Sequence, residues 1–353
     1  MSVPGRLMNA GVLTVVWAVT AAFLLLSLVF AVSAVVFRLR NGMVARRWAR
    51  VEEEWELRVL EAMTGDRPAG DIISQLPDRE RPYFVGFLSQ FIRRVRGPER
   101  RHLLDLAHPL LPTVRAQLSS RSAEERARAV DTLGLLSRPG ETAELVAALD
   151  DPSPLVAMVA ARALTRERSP EHAGVIVRHL HRFQLWRPSY LAAMLAAYGP
   201  EIGPALREAL ADDREAPRTR AVAAAALTRL NDASAAAVAY QVLTRESDPS
   251  VLGAVLRLLA KVGHAAHLPG IRTKVAALED DVRLAAVLAL GALGDASDVP
   301  LLTRALHDPS RWVAEHAARG LAAGAGREVL LSVIAEGGAE ALIASEALEQ
   351  AAP

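Results

Sequence analysis

The chain is 353 residues long, contains no cysteine, and carries 41 Lys+Arg against 40 Asp+Glu for a net charge of +1. That length exceeds a single compact core and calls for several domains or an elongated array. The near-neutral balance excludes a strong global field for nucleic acid or lipid, and the missing cysteines exclude disulfides, thiolate nucleophiles and thiolate zinc sites. Aromatic residues make up only 5% while alanine is abundant, a composition that favours closely approaching helices and an all-α fold.

After a short N-terminus, residues 1–10, the run from Gly11 to Phe37 has no charged side chain. Roughly 20 apolar residues cross a bilayer core, so residues 11–37 read as one transmembrane helix. The run is longer than the apolar region of a signal peptide and only Arg6 precedes it; the weak V-S-A pattern at Val32 to Ala34 leaves cleavage as the competing reading. Arg38, Arg40, Arg46, Arg47 and Arg50 follow directly. Basic residues flanking a span stay on the cytoplasmic side, which predicts a single-pass protein of the inner membrane, with residues 1–10 outside and the remainder in the cytoplasm.

Residues 38–66 read as an amphipathic juxtamembrane helix, with Val44, Trp48, Val51, Trp55 and Ala62 at mostly helical spacing. Packing on the first repeats, self-association through a coiled-coil seam and an interfacial position on the membrane are the three readings of its apolar face. Residues 67–118 look helical without a visible register and read as a divergent cap.

From there the chain repeats itself. Asp151 to Leu164 reads DPSPLVAMVAARAL and Asp308 to Leu321 reads DPSRWVAEHAARGL. Leucines stand at 133, 164, 195, 227, 259, 290 and 321, always 31 or 32 residues apart. A fixed period of this length is the mark of stacked repeats. A second column, Leu118, Leu149, Leu180, Val275 and Leu306, supplies the other helix of each unit, so each unit is a helical hairpin. Val282, Ala285, Ala286, Ala289, Leu290 and Leu293 share one helix face, and Gly294, like Gly199 and Gly263 in their units, is expected to end the helix with a positive φ. No hairpin buries its apolar face alone; stacking does. The solenoid is expected over residues 119–335 in about seven hairpins, with residues 336–353 as a C-terminal capping helix or tail.

The D-P-S starts, the Val or Val-Arg pair, the paired alanines and the leucine column resemble the HEAT-like repeat family, in the short variety named after phycobilisome lyase subunits, over roughly Arg115 to Val333. Pro188 stands where that pattern expects Arg, and the unit around Thr219 lacks its Val and its regular spacing. The resemblance implies that the helix beginning at each D-P-S lines a concave face and that the array binds protein, in bacterial membrane versions within envelope or glycosyltransferase assemblies. It also carries the alternatives of a bilin-lyase-like enzyme and of a ligand-responsive sensor.

Signs of catalysis are missing. The pairs Asp150/Asp151, Asp212/Asp213 and Asp280/Asp281 recur at helix starts, where Asp caps backbone N–H groups, and are expected to pair with Arg126, Arg220 and Arg283. His179 and His181 are too close in sequence to share a helix face, and His264 and His267 sit in a turn without a third ligand. With no nucleophile elbow, phosphate loop or dinucleotide motif, the chain reads as a non-enzyme without cofactor, metal or nucleic-acid partner.

Two stretches remain. Arg93, Arg94 and Arg96, with Arg100 and Arg101, form a basic cluster suited to a solvated face, anionic headgroups or an acidic partner. Arg178 to Tyr190, RHLHRFQLWRPSY, gathers Arg182, Phe183, Trp186, Arg187 and Tyr190, residue types that dominate interface hot spots. Trp186 and Trp312 share a repeat position at which the intervening units carry Arg218, Ser250 and Asp281. The expected object is a membrane-anchored scaffold that positions a protein partner, in keeping with a membrane complex, through these residues.

Overall fold

A computed structural model describes residues 53–64, 67–138 and 140–351, together with positions 17, 21, 23, 25–27 and 30. The expected membrane span at 11–37 lies outside the described residues except at those isolated positions, which are helical. Residues 1–10, Arg38, Arg40, Arg46, Arg47 and Arg50 lie outside them altogether, and with them the topology expected of the chain. Among the described residues no helix is long and apolar enough to cross a membrane.

All regular structure described is helical. Two compact units divide at Leu110/Leu111. In the first, α1 (residues 53–64), α2 (Ala69–Ser74), α3 (Arg81–Arg94) and α4 (Pro98–Ala107) surround an aromatic core. Trp55 is 1% exposed and meets Phe84 edge-on at 5.4 Å and Phe87 at 5.5 Å. Val59 and Ala62 are buried with it while Leu57 and Leu60 face outward. The described part of the amphipathic stripe is therefore spent on the core of its own unit.

The second unit stacks eight helix pairs: α5 (Leu111–Gln117) with α6 (Ala123–Leu136), α7 (Ala143–Ala147) with α8 (Pro154–Glu167), α9 (Pro170–Arg178) with α10 (Pro188–Ala196), and α11 (Gly203–Ala211) with α12 (Pro217–Leu230). It continues with α13 (Ala236–Arg245) and α14 (Pro249–Val262), α15 (Leu268–Lys274) and α16 (Asp280–Leu293), α17 (Val299–Leu306) and α18 (Arg311–Ala323), and α19 (Arg327–Glu336) and α20 (Ala339–Gln350). Every leucine of the main column is at most 1% exposed. The column runs through seven second helices; α20 carries no leucine in that register and buries Ala344 and Ala347 instead.

The second column continues through the two units where the sequence shows a gap. Leu210 and Leu243 fill it, both fully buried, displaced in register because the loops before α12 and α14 differ in length. The expected positive φ at Gly294 and Gly263 is not observed; both are extended, with φ of −69 and −74. Their requirement is space: a Cβ on Gly294 would meet the Leu290 carbonyl oxygen at 2.5 Å, and one on Gly263 the Leu259 oxygen at 2.4 Å. Gly199 alone of the three is left-handed, with φ 110.

Arginines stitch several joints of the stack. Arg126 binds Asp151 and Arg283 binds Asp308, each carboxylate belonging to the loop of the following pair. Arg220, 5% exposed, binds Glu246 at 2.5 Å. Along the opposite edge Arg272 reaches Asp298 at 2.6 Å, and Arg207 reaches Asp232.

Candidate protein-binding surface

The surface begins with a shortened helix. The second helices α6, α8, α12, α14 and α16 have 14 residues each, whereas α10 has nine. Pro188 accounts for the missing start, because it stands three residues later in its unit than the prolines that open α8, α12 and α14; the other two residues are lost at the C-terminal end. Proline suits the first helical position but bars the residue before it from the α region. Arg187 accordingly sits at ψ 140, and the first turn is lost. Trp186, expected at the helix start, instead lies in the loop that replaces that turn. α8 and α10 meet over a much shorter stretch than the other neighbouring second helices, whereas α10 packs on α12 as fully as they do.

The loop is held on both sides. Arg182 donates to the carbonyl oxygens of Leu149 and Asp151 in the preceding pair, and Arg218 of the following pair donates to the oxygens of Trp186 and Gln184. Arg182, expected to contact a partner, is thus engaged in joining repeats. Phe183 is fully buried and is removed from the candidate surface; its ring supports Trp186 edge-on at 6.1 Å. Trp186 is half-buried, and Arg187 and Tyr190 are exposed. Leu185 at 82% exposure is the most prominent apolar side chain of the loop. Nothing local in the sequence distinguishes Leu185 from the buried Leu180 and Leu191 on either side of it.

Trp312 lies in the first turn of α18, 65% exposed, and Leu155 occupies the same repeat position in α8, 46% exposed. Between Trp186 and Trp312 stand four stacking steps, roughly 35 Å at the usual interaxial spacing. The two tryptophans belong to one edge but not to one pocket. Arg93, Arg94 and Arg96 are exposed at the end of α3 and just beyond it, in the first unit.

Two of the three acidic pairs resolve into caps and joints. Asp151 accepts from Ser153 N–H and from Arg126, whose hydrogen bond is the main reason its carboxyl lies below the ordinary range. Arg214 does the same for Asp212, and Asp213 meets Arg220 and Arg245. Arg283 pairs with Asp308 rather than with Asp280 or Asp281. His179 bridges Val175 O and Asp150, and His267 accepts the His264 N–H at 3.1 Å. Among the described residues no group of three His, Asp or Glu side chains could hold a metal ion. These polar groups tie loops together, and the arrangement offers an edge for contact.

The family profile for HEAT repeats matches residues 111–184 and 236–322. Within the second unit, those two stretches are HEAT repeats. The two matched stretches part around the irregular α10 to α12 region. Solved structures that resemble these HEAT repeats include the karyopherin Kap121p bound to Ste12p (14% identity, TM-score 0.41, over 71% of this chain and 34% of that one). Importin beta is similar at 15% identity and a TM-score of 0.41, over 77% of this chain and 45% of its own. The CpcE–CpcF complex of phycocyanin lyase from Nostoc sp. PCC7120 shows 18% identity and a TM-score of 0.32, over 69% of this chain and 94% of that one. The chain spans about a third of the length of the karyopherin it resembles. No curated protein matches it by sequence.

Proposed function

We propose that the chain is a membrane-anchored scaffold without catalytic activity of its own, which binds a partner protein along the N-terminal edge of its second helices. The observation that carries this reading is the exposure of Leu185, Tyr190 and Trp312 on that edge. The positions equivalent to Trp312 in other units bear Arg218, Ser250 and Asp281, so the fold does not ask for a large apolar group there, and Tyr and Trp anchor interfaces. The arginine-held loop favours binding because it is ordered beforehand.

The membrane part of the proposal is supported by the uncharged run at 11–37 and the arginines that follow it. At the described positions of that run, Trp17, Phe23, Leu25, Leu26 and Phe30 are all at least 66% exposed, as lipid-facing side chains would be. An inner-membrane location, repeats in the cytoplasm and a partner within an envelope assembly belong to the same proposal.

Affinity purification of the tagged full chain from membranes tests it. A partner retained by the wild type and lost from a Leu185→Ala, Tyr190→Ala variant of unchanged melting temperature is the expected result. Retention of the same partner by that variant overturns the proposed edge.

A further inference from the structure

A groove of about 750 Å³ opens along α12 and α14, beginning beside the aromatic loop at Pro188. Its floor is made of Ala221, Ala225 and Ala254. It runs along two turns of each helix, roughly 12 Å at 1.5 Å per residue. The lining charges are sorted: Arg229 and Arg257 lie toward the C-terminal halves of α12 and α14, and Glu279, Asp280 and Asp281 lie at the start of α16.

None of these charges is part of an ion pair of the stitching described above, although, beyond its partner Asp308, Asp280 and Glu279 lie near enough to Arg283 to favour its charged form. Arg229 and Arg257 are exposed and make no salt bridge among the described residues, nor do Glu279, Asp280 and Asp281. Glu279 occupies the N-cap of α16 without making a side-chain cap bond. Elsewhere in the stack an arginine and a carboxylate facing a joint are bonded to each other. Gly253 adds a second sign of construction. Glycine inside a helix costs about 1 kcal/mol against alanine, and its φ here is not left-handed. The nearest atoms a Cβ at that position would meet are those of the Arg257 guanidinium, from 3.2 Å, so the missing side chain lets Arg257 fold back closely against its own helix beside the groove.

We propose that this groove binds a protein segment of sorted charge. Its carboxylates lie over Arg229 and Arg257, a short aliphatic centre fills the alanine floor, and its basic end meets Glu279, Asp280 and Asp281. A groove about 12 Å long accommodates roughly four extended residues. Opposite charge at both ends fixes the direction of the bound segment, since like-charge contacts penalise the reverse arrangement. The inference rests on the scaffold reading and deepens it by naming the chemistry of one partner segment.

The test uses the purified full chain and fluorescein-labelled heptapeptides followed by fluorescence anisotropy: two glutamates, Leu-Ala-Leu and two lysines, against versions with four glutamates or four lysines. The sorted peptide is expected to bind about tenfold more tightly than either single-sign peptide at low salt, with the advantage shrinking as salt screens it. The Arg229→Glu, Arg257→Glu variant makes the groove wholly acidic. It should lose the sorted peptide about tenfold and gain the four-lysine peptide, a gain that an unfolded variant would not give. Equal or tighter binding of the four-glutamate peptide to the wild type, or its competition by inorganic phosphate, would make this a simple anion site and overturn the proposal. So would charge reversal without effect on the sorted peptide, or without the lysine gain. A photo-crosslinker at Leu185 that captures a partner in cells while the peptides fail would leave the scaffold reading standing and remove only the groove.

Discussion

The guanidinium of Arg283 grips the carboxylate of Asp308 with two bonds, Nε to Oδ2 at 2.7 Å and Nη2 to Oδ1 at 2.9 Å, across the joint between the sixth and seventh helix pairs. The same fork joins Arg126 to Asp151, at 2.8 Å for both bonds. A fork of this kind fixes orientation as well as distance. It also satisfies loop carbonyls, because Arg283 Nη1 donates to Ala277 and Leu278.

Removing one partner leaves the other nearly buried and unpaired, which costs about 3–5 kcal/mol in a fully buried pair. The Arg283 and Asp308 side chains keep 14% and 10% exposure, so Asp308→Ala is expected to cost less, about 2–3 kcal/mol. Urea unfolding measures it. A Lys at 283 should recover only part of the loss, because an ammonium cannot reproduce the fork.

The joints also set the acid limit. Arg126's hydrogen bond draws Asp151 down, while at Asp308 burial pushes upward and is outweighed by Arg283 and the Ser310 N–H. Both folded values lie below the unfolded one, near 3.9, so between them the unfolded chain binds more protons and stability rises with pH. The contribution is fully present above the unfolded value and is lost as pH falls through the folded one. Melting temperatures across roughly pH 6 to 3 should fall, and an Asp151→Asn, Asp308→Asn variant should show a flatter profile over that window. An unchanged slope would mean the joints do not govern acid stability.

Leu290 is fully buried in the main column, and a carboxylate there would have no partner. Leu290→Asp should cost several kcal/mol, on the order of 3–5, and unfold neighbouring pairs with its own. Arg304→Glu, at an exposed position of α17, should stay within about 0.5 kcal/mol. Calorimetric scans of the two variants side by side check the contrast; coincident melting temperatures would contradict it.

At the aromatic edge, stability and binding separate by residue. Leu185→Ala and Trp312→Ala remove exposed groups and should weaken partner binding by about 1–3 kcal/mol with little change in melting. Trp186→Ala, which also strips the support beside Phe183, should affect both. Arg182→Ala should act chiefly on melting, since its donors serve the carbonyls of Leu149 and Asp151. Circular dichroism melts beside the co-purification assay distinguish the three outcomes.

Membrane topology gives a further check. A C-terminal phosphatase reporter that works only after export should be inactive, and a fluorescent reporter that folds in the cytoplasm should be bright. The opposite pair of results would favour cleavage of the N-terminal segment.

How far the sequence could be read depends on the range of the interaction. The column leucines were legible because one buried residue per repeat keeps a fixed period, and Pro188 announced an irregular unit. The lost first turn of α10 follows from Pro188 together with Arg187, a local effect that was within reach. Arg182 and Leu185 were not legible. Whether an arginine binds a carbonyl over 30 residues away, or a leucine of a loop points in or out, is decided by the neighbouring pair. The glycines ending α14 and α16 were found for the wrong reason, since close backbone approach and left-handed φ select the same residue.

The shortened α10 has a mechanical consequence. In a stack held by nearest-neighbour contacts, cooperativity passes only as well as the weakest joint allows. With α8 and α10 meeting so briefly while α10 packs fully on α12, two blocks should open separately: the pairs up to α8, and those from α9 onward. Hydrogen exchange would show them as two protection classes, with the aromatic loop and the arginines that clamp it acting as the hinge pin on which a bound partner pulls.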